Sequence, residues 1–99
     1  MKLPEREIDV ERYLVRQVQK NGGVAWKLVS PGMAGVPDRL VLLPGGRVAL
    51  IETKRPGAHT RALQDYRIAQ VRALGTWAGA AHTREEVDEI LKEVMRSGV

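Results

Sequence analysis

Asp38 and Glu52 are the residues whose placement first invites chemistry. Asp38 follows the turn-rich run Pro31-Gly32-Met33-Ala34-Gly35-Val36-Pro37, and Glu52 lies fourteen residues later, two before Lys54. Between them, Pro44-Gly45-Gly46 separates two apolar runs, 38–43 and 47–53, which is a hairpin signature. With a three-residue turn, Leu43 faces Arg47, Leu42 faces Val48, Leu40 faces Leu50 and Asp38 faces Glu52. Residues two apart in a strand share a face, so Leu40, Leu42, Val48 and Leu50 form an apolar patch that ends in the two acids. Opposed residues hold their Cβ atoms about 4.5–5.5 Å apart. Two carboxylates that close repel, and the pKa of one rises unless a cation intervenes. A divalent cation with oxygen ligands is the natural occupant. Lys54 projects from the same face. A register slip of one residue would separate the set.

Two further polar residues fall among apolar neighbours. Residues 5–21 read as a helix in which Ile8, Leu14, Val15 and Val18 recur, stopped by Asn21-Gly22-Gly23. Measured from Ile8, Glu11 falls at about 300°, between Val18 at about 280° and Val15 at about 340°. A carboxylate in such a stripe needs a cation or hydrogen bonds; a neighbouring Arg at the rim would supply one, a metal another. Residues 60–74 read as a second helix with Leu63, Ile68, Val71 and Leu74 to one side and Gln64 among them. Its amide would satisfy a backbone group or orient a site residue or water.

The elements that position these residues follow from the remaining pattern. Residues 24–30 read as a strand, 76–81 as a short strand, and Thr83-Arg84-Glu85-Glu86 as a capping box opening a helix with Val87, Ile90, Leu91 and Val94 on one stripe. The order is α-β-β-β-α-β-α, an α/β arrangement. Trp26 and Trp77 are expected in the core, and His59 and His82 in loop or solvent roles, because neither histidine has metal-ligand spacing. Arg39 points away from Asp38's face, where a structural ion pair is its expected role.

Composition bounds the function classes. The sequence has 99 residues, 43% hydrophobic and 28% charged, and no cysteine. That size fits one domain, 1–99. Absent cysteine excludes a disulfide scaffold, a thiolate zinc site and a cysteine nucleophile. No apolar run reaches membrane-spanning length, and Met1-Lys2-Leu3-Pro4-Glu5-Arg6 lacks the apolar segment of a leader, so a cytoplasmic protein is expected. The net charge is +4, and residues 54–72 alone carry Lys54, Arg55, Arg61, Arg67 and Arg72 against Asp65. A basic stripe of this kind attracts polyanions or is a solvated helix face.

Gly35-Val36-Pro37-Asp38 followed by Glu52-Thr53-Lys54 resembles the PD-(D/E)XK nuclease motif. With Glu11 before it and Gln64 after it, the frame is similar to the VRR-NUC branch of that superfamily, in its stand-alone phage and bacterial type, over about residues 5–85. The resemblance implies a mixed β-sheet flanked by helices, a restriction-endonuclease-like core, and Mg²⁺- or Mn²⁺-dependent hydrolysis of phosphodiester bonds in DNA. It also implies Holliday junction resolvase-like homodimers acting on branched or supercoiled duplex. On this reading Asp38, Glu52 and the Thr53 carbonyl ligate the metal, and Glu11 joins through water or holds a second ion. Lys54 orients or deprotonates the attacking water or neutralises the phosphate, and Gln64 positions that lysine or the water. Arg55, Arg61 and Arg67 grip phosphates, which carries no sequence information, so structure-selective or non-specific cleavage or nicking is expected. No small-molecule cofactor or membrane partner is implied. The alternatives are a module that binds nucleic acid without cutting it and a nuclease subunit that needs a partner chain.

Overall fold

The structure is a computed structural model, and it describes residues 4–97. The first three residues of the stretch read for a leader lie outside the described residues. The element order matches expectation: α1 (Glu7–Lys20), β1 (Val24–Lys27), β2 (Arg39–Leu43), β3 (Arg47–Thr53), α2 (Ala62–Ala73), β4 (Trp77–Ala81) and α3 (Arg84–Ser97). The four strands form one sheet in the order β1-β2-β3-β4. The first three are antiparallel neighbours, and β3 and β4 run parallel. A parallel neighbour requires a crossover, and α2 supplies it. No helix among the described residues is long and apolar enough to cross a membrane.

The hairpin register is the one the turn dictates, with Leu43 opposite Arg47, Leu42 opposite Val48 and Leu40 opposite Leu50. The core, however, forms on the other face of that hairpin. Val41, Leu43, Ala49 and Ile51 are buried beneath α1 and α3, together with Val10, Leu14, Val18, Val87, Ile90, Leu91 and Val94. Each buried Val, Leu or Ile among them contributes roughly 1.5–3 kcal/mol by leaving water. Leu40, Leu42 and Leu50 are half-buried on the opposite face, where Val48 is 39% exposed. Beside them on β1, Val24 and Trp26 pair with Leu42 and Leu40. Trp26 is 58% exposed rather than in the core, because it stands on an edge strand over a face that no helix covers completely.

Helix α1 buries Val10, Leu14 and Val18, an i, i+4, i+8 row. That row lies farther round the helix than the expected stripe. Ile8 is exposed, Val15 half-buried, and Glu11 stands at the rim instead of the centre. Asp9 caps the helix by accepting the Arg6 backbone N–H at 3.0 Å. At its far end the chain turns into β1 through Gly23, where a Cβ would lie 2.2 Å from the Leu42 carbonyl oxygen, so only glycine fits.

Helix α2 buries none of its residues. Ile68 and Val71 are half-buried, while Leu63 is 42% and Leu74 82% exposed. The expected stripe is present but rests on β4, so its flanking leucines stay in solvent. Helix α3 fulfils its pattern. Thr83 Oγ1 accepts the Glu86 backbone N–H at 3.0 Å, and the Glu86 carboxylate accepts the His82 backbone N–H at 2.9 Å. The acid thus reaches one residue farther back than in the expected box.

Candidate functional site

The loop before β2 is fastened at several points. Gly35 has φ +85°, and a Cβ there would lie 2.9 Å from the Leu63 carbonyl oxygen. Left-handed backbone and close approach both demand glycine. Arg67 donates to the Ala34 carbonyl oxygen at 3.1 Å and to Gln70 at 3.2 Å, and its guanidinium lies over the Tyr66 ring. Pro37 is fully buried. The Leu28 backbone N–H donates to the Asp38 carbonyl oxygen at 2.7 Å, so strand-like pairing continues one residue past β1, which ends at Lys27 rather than at Ser30. Asp38 is therefore held at a fixed exit from the loop.

Glu52 is only 7% exposed, and Asp38 is half-buried beside it. Burial pushes Glu52 up to about 7, and the Asp38 charge adds to the rise while Lys54 opposes it. Burial likewise raises Asp38, reinforced by the Glu11 charge. The two acids flank the Arg39–Ile51 pair of the ladder, so they stand across the hairpin from each other. Asp38 Oδ1 is buried with no hydrogen-bond partner. Unpaired buried oxygens are uncommon and call for an occupant. The Thr53 side chain is fully buried, and its Oγ1 likewise has no hydrogen-bond partner. Lys54 Nζ lies 3.9 Å from Glu52 Oε2, and the lysine side chain is mostly buried.

Glu11 meets cations. Its Oε2 accepts from Arg39 Nε at 3.0 Å and from Lys27 Nζ at 3.2 Å, and Arg39 Nη2 pairs with it at 2.8 Å. Burial opposes ionisation of Glu11, yet the hydrogen bonds from Arg39 and Lys27 hold it below the usual glutamate range. Arg39 also donates to the Ala25 carbonyl oxygen at 3.0 Å. Lys27 reaches on to Asp38 Oδ2 at 4.0 Å. Among the described residues no three His, Cys, Asp or Glu side chains converge to cage a metal ion. Glu11 is thus linked to the Asp38–Glu52 pair through Lys27 and by its charge. Lys27 is the residue that sequence reasoning missed. Its signal lies in the β1–β2 register, which sets Lys27 opposite Arg39, but no turn between those strands reveals that register.

The structure does not bring Gln64 to the pair. Its Oε1 accepts the Arg61 backbone N–H at 2.8 Å and so caps α2, and its side chain makes no hydrogen bond to Lys54 or the carboxylates. Arg55 and Arg61 are exposed, whereas Arg67 is committed to the loop.

A four-stranded mixed sheet, with a helix before it, an acid at the head of β2 and Glu52-Thr53-Lys54 closing β3, is the core of a PD-(D/E)XK nuclease fold. Comparison with known proteins narrows the class. No family model matches the chain. A relative named "Putative nuclease p44", from Acyrthosiphon pisum secondary endosymbiont phage 1, is 49% identical over 70 residues, covering 71% of this chain and 75% of the relative. A solved "VRR_NUC domain" superposes with a TM-score of 0.81 at 26% identity, covering 87% of this chain and 94% of the other. The chain belongs to the VRR-NUC nuclease family.

Proposed function

We propose that this chain is a divalent-cation-dependent endonuclease that hydrolyses phosphodiester bonds in DNA, with Asp38 and Glu52 as its metal-holding acids. The observation that carries the reading is the unpartnered Asp38 Oδ1, buried beside a Glu52 whose pKa is lifted to about 7. Two crowded carboxylates with a spare oxygen suit a hard cation such as Mg²⁺ or Mn²⁺. The Thr53 carbonyl is the third ligand in this reading. When bound, the cation supplies charge neutralisation at the phosphoryl group and activation of water.

The chain's own groups do the rest. Glu52 sheds the proton that its buried setting favours before it ligates, so metal binding releases protons. Lys54, beside Glu52, holds the attacking water or a phosphate oxygen. Glu11 adds negative charge from the rim. Arg55 and Arg61 are the exposed cations for the DNA backbone; Arg67 acts on the loop instead. Backbone contacts do not read bases, so cleavage is structure-selective or non-specific, with four-way junctions and supercoiled duplex as the substrates to try first.

The active form in this reading is a two-fold dimer of a single-domain chain, which gives a junction two symmetric cuts. Helix α3 spends its apolar stripe in the core, whereas β1 and the residues after it leave Val24, Trp26 and Val29 exposed, so β1 is the surface proposed for the pairing. The test is cleavage of a supercoiled plasmid and a labelled four-way junction with EDTA, Mg²⁺ or Mn²⁺, beside Asp38→Ala and Lys54→Ala. Metal-dependent cutting lost in both variants is the expected result. DNA binding without cutting under every metal condition would overturn the reading and favour a binding module or a partner-dependent subunit.

A further inference from the structure

We infer that Lys27 is the resident counter-cation of the carboxylate site, and that it must leave when a divalent cation enters. The inference rests on the proposed metal-holding role of Asp38. The cations that stand against Glu11, Asp38 and Glu52 are Arg39, Lys54 and Lys27. Arg39 is fixed, with bonds to Glu11 and to the Ala25 carbonyl oxygen and a side chain only 18% exposed. Lys54 is fixed as well, at 16% exposure. Lys27 differs from both: its side chain is 59% exposed, and it spans from Glu11 Oε2 at 3.2 Å to Asp38 Oδ2 at 4.0 Å. It therefore touches the acid at the head of β2 while most of its length lies in water.

Position and exposure together define the role. The ammonium bridges two carboxylates from different elements, which is what a metal ion at this edge of the site would also do. A dication on Asp38 would repel an ammonium about 4 Å away, and the repulsion is relieved only if Lys27 swings out. The exposed lysine side chain has room to do so, and Glu11 keeps its contacts with Arg39 when it leaves. Lys27 thereby neutralises the acids in the metal-free protein and weakens metal binding by competing for the same charge. It acts as a positioning residue on affinity, without touching the reacting atoms.

The experiment is calorimetric titration of Mn²⁺ alone, without DNA, into the wild-type chain, Lys27→Met, Lys27→Arg and Asp38→Ala. Lys27→Met is expected to bind Mn²⁺ roughly tenfold more tightly than wild type, the scale of one unit charge near a partly screened site. Lys27→Arg is expected to match wild type, and Asp38→Ala to bind nothing at this site. Equal or weaker binding by Lys27→Met, with wild type binding normally, overturns the inference alone. Failure of every variant to bind Mn²⁺ overturns the metal-site reading and this inference with it. A second readout needs no substitution: in ¹⁵N-lysine-labelled protein the Lys27 Nζ resonance should move toward that of a free lysine as Mg²⁺ is added, and a resonance that stays fixed while Mg²⁺ binds argues against displacement.

Discussion

Asp38 and Glu52 flank the Arg39–Ile51 pair of the β2–β3 ladder and so stand opposite each other at its end, where the Asp38 charge joins burial in raising Glu52. The separation of the two acids is thus set where their strands pair, by the register of the hairpin. The first prediction follows. Asp38→Asn keeps the shape, removes one of two crowded charges and should raise the melting temperature of the metal-free protein while abolishing metal-dependent cleavage. A lower melting temperature together with intact cleavage would refute both halves.

Stability should depend on pH with an unusual sign. Glu52 has a folded pKa of about 7, above its ordinary 4.5. Below the ordinary value the carboxyl is protonated in folded and unfolded chains alike, and its contribution is fully present. As pH rises from about 4.5 to about 7 the unfolded chain gives up the proton first, so stability falls, by up to about 3 kcal/mol, and then levels. The raised Asp38 adds in the same direction. Thermal melts in EDTA at pH 5 and pH 8 check this, and Glu52→Gln should flatten the difference.

Lys54→Ala should lower cleavage by about 10²–10⁴, the range for losing a group that manages the reacting water, with little change in melting temperature. Single-turnover assays at saturating metal separate this from weaker DNA binding. A loss confined to KM would move Lys54 to a phosphate-gripping role.

Gly35→Ala should destabilise the fold by about 1–3 kcal/mol, through a φ of +85° and a clash with Leu63 backbone. Because the loop carries Asp38 into the site, the variant should also lose cleavage at temperatures where it is still folded. Denaturant titration gives the first quantity and plasmid nicking the second.

Much of this was legible in the residues, for identifiable reasons. A three-residue turn fixes the β2–β3 register by geometry, so the Asp38–Glu52 opposition follows from counting. The Val87, Ile90, Leu91, Val94 row of α3 is set by helical period and needed no tertiary information. Glu11 was harder, because the wheel gives an angle but not the centre of the buried arc. Counting Val10 rather than Ile8 moves that centre and leaves Glu11 within reach of Arg39. Gln64 looked like a site residue because it interrupts a stripe, yet N-capping satisfies the same amide. Trp26 was misplaced because edge position depends on strand order, which no local pattern encodes. Lys27 and Arg39 share that dependence, and so the cations of the site emerge only from the assembled sheet.

The lack of any buried residue in α2 gives the molecule an uneven depth of protection against solvent deuterium. Little apolar area holds this helix down, so it opens by local excursions while β2 and β3 stay paired over the buried row of α1 and α3. Amides of 66–73 should exchange many times faster than those of Val41, Ala49 and Ile51. The strands that carry the acids would then be the slowest-exchanging part of the chain, and the helix that follows them its most readily loosened.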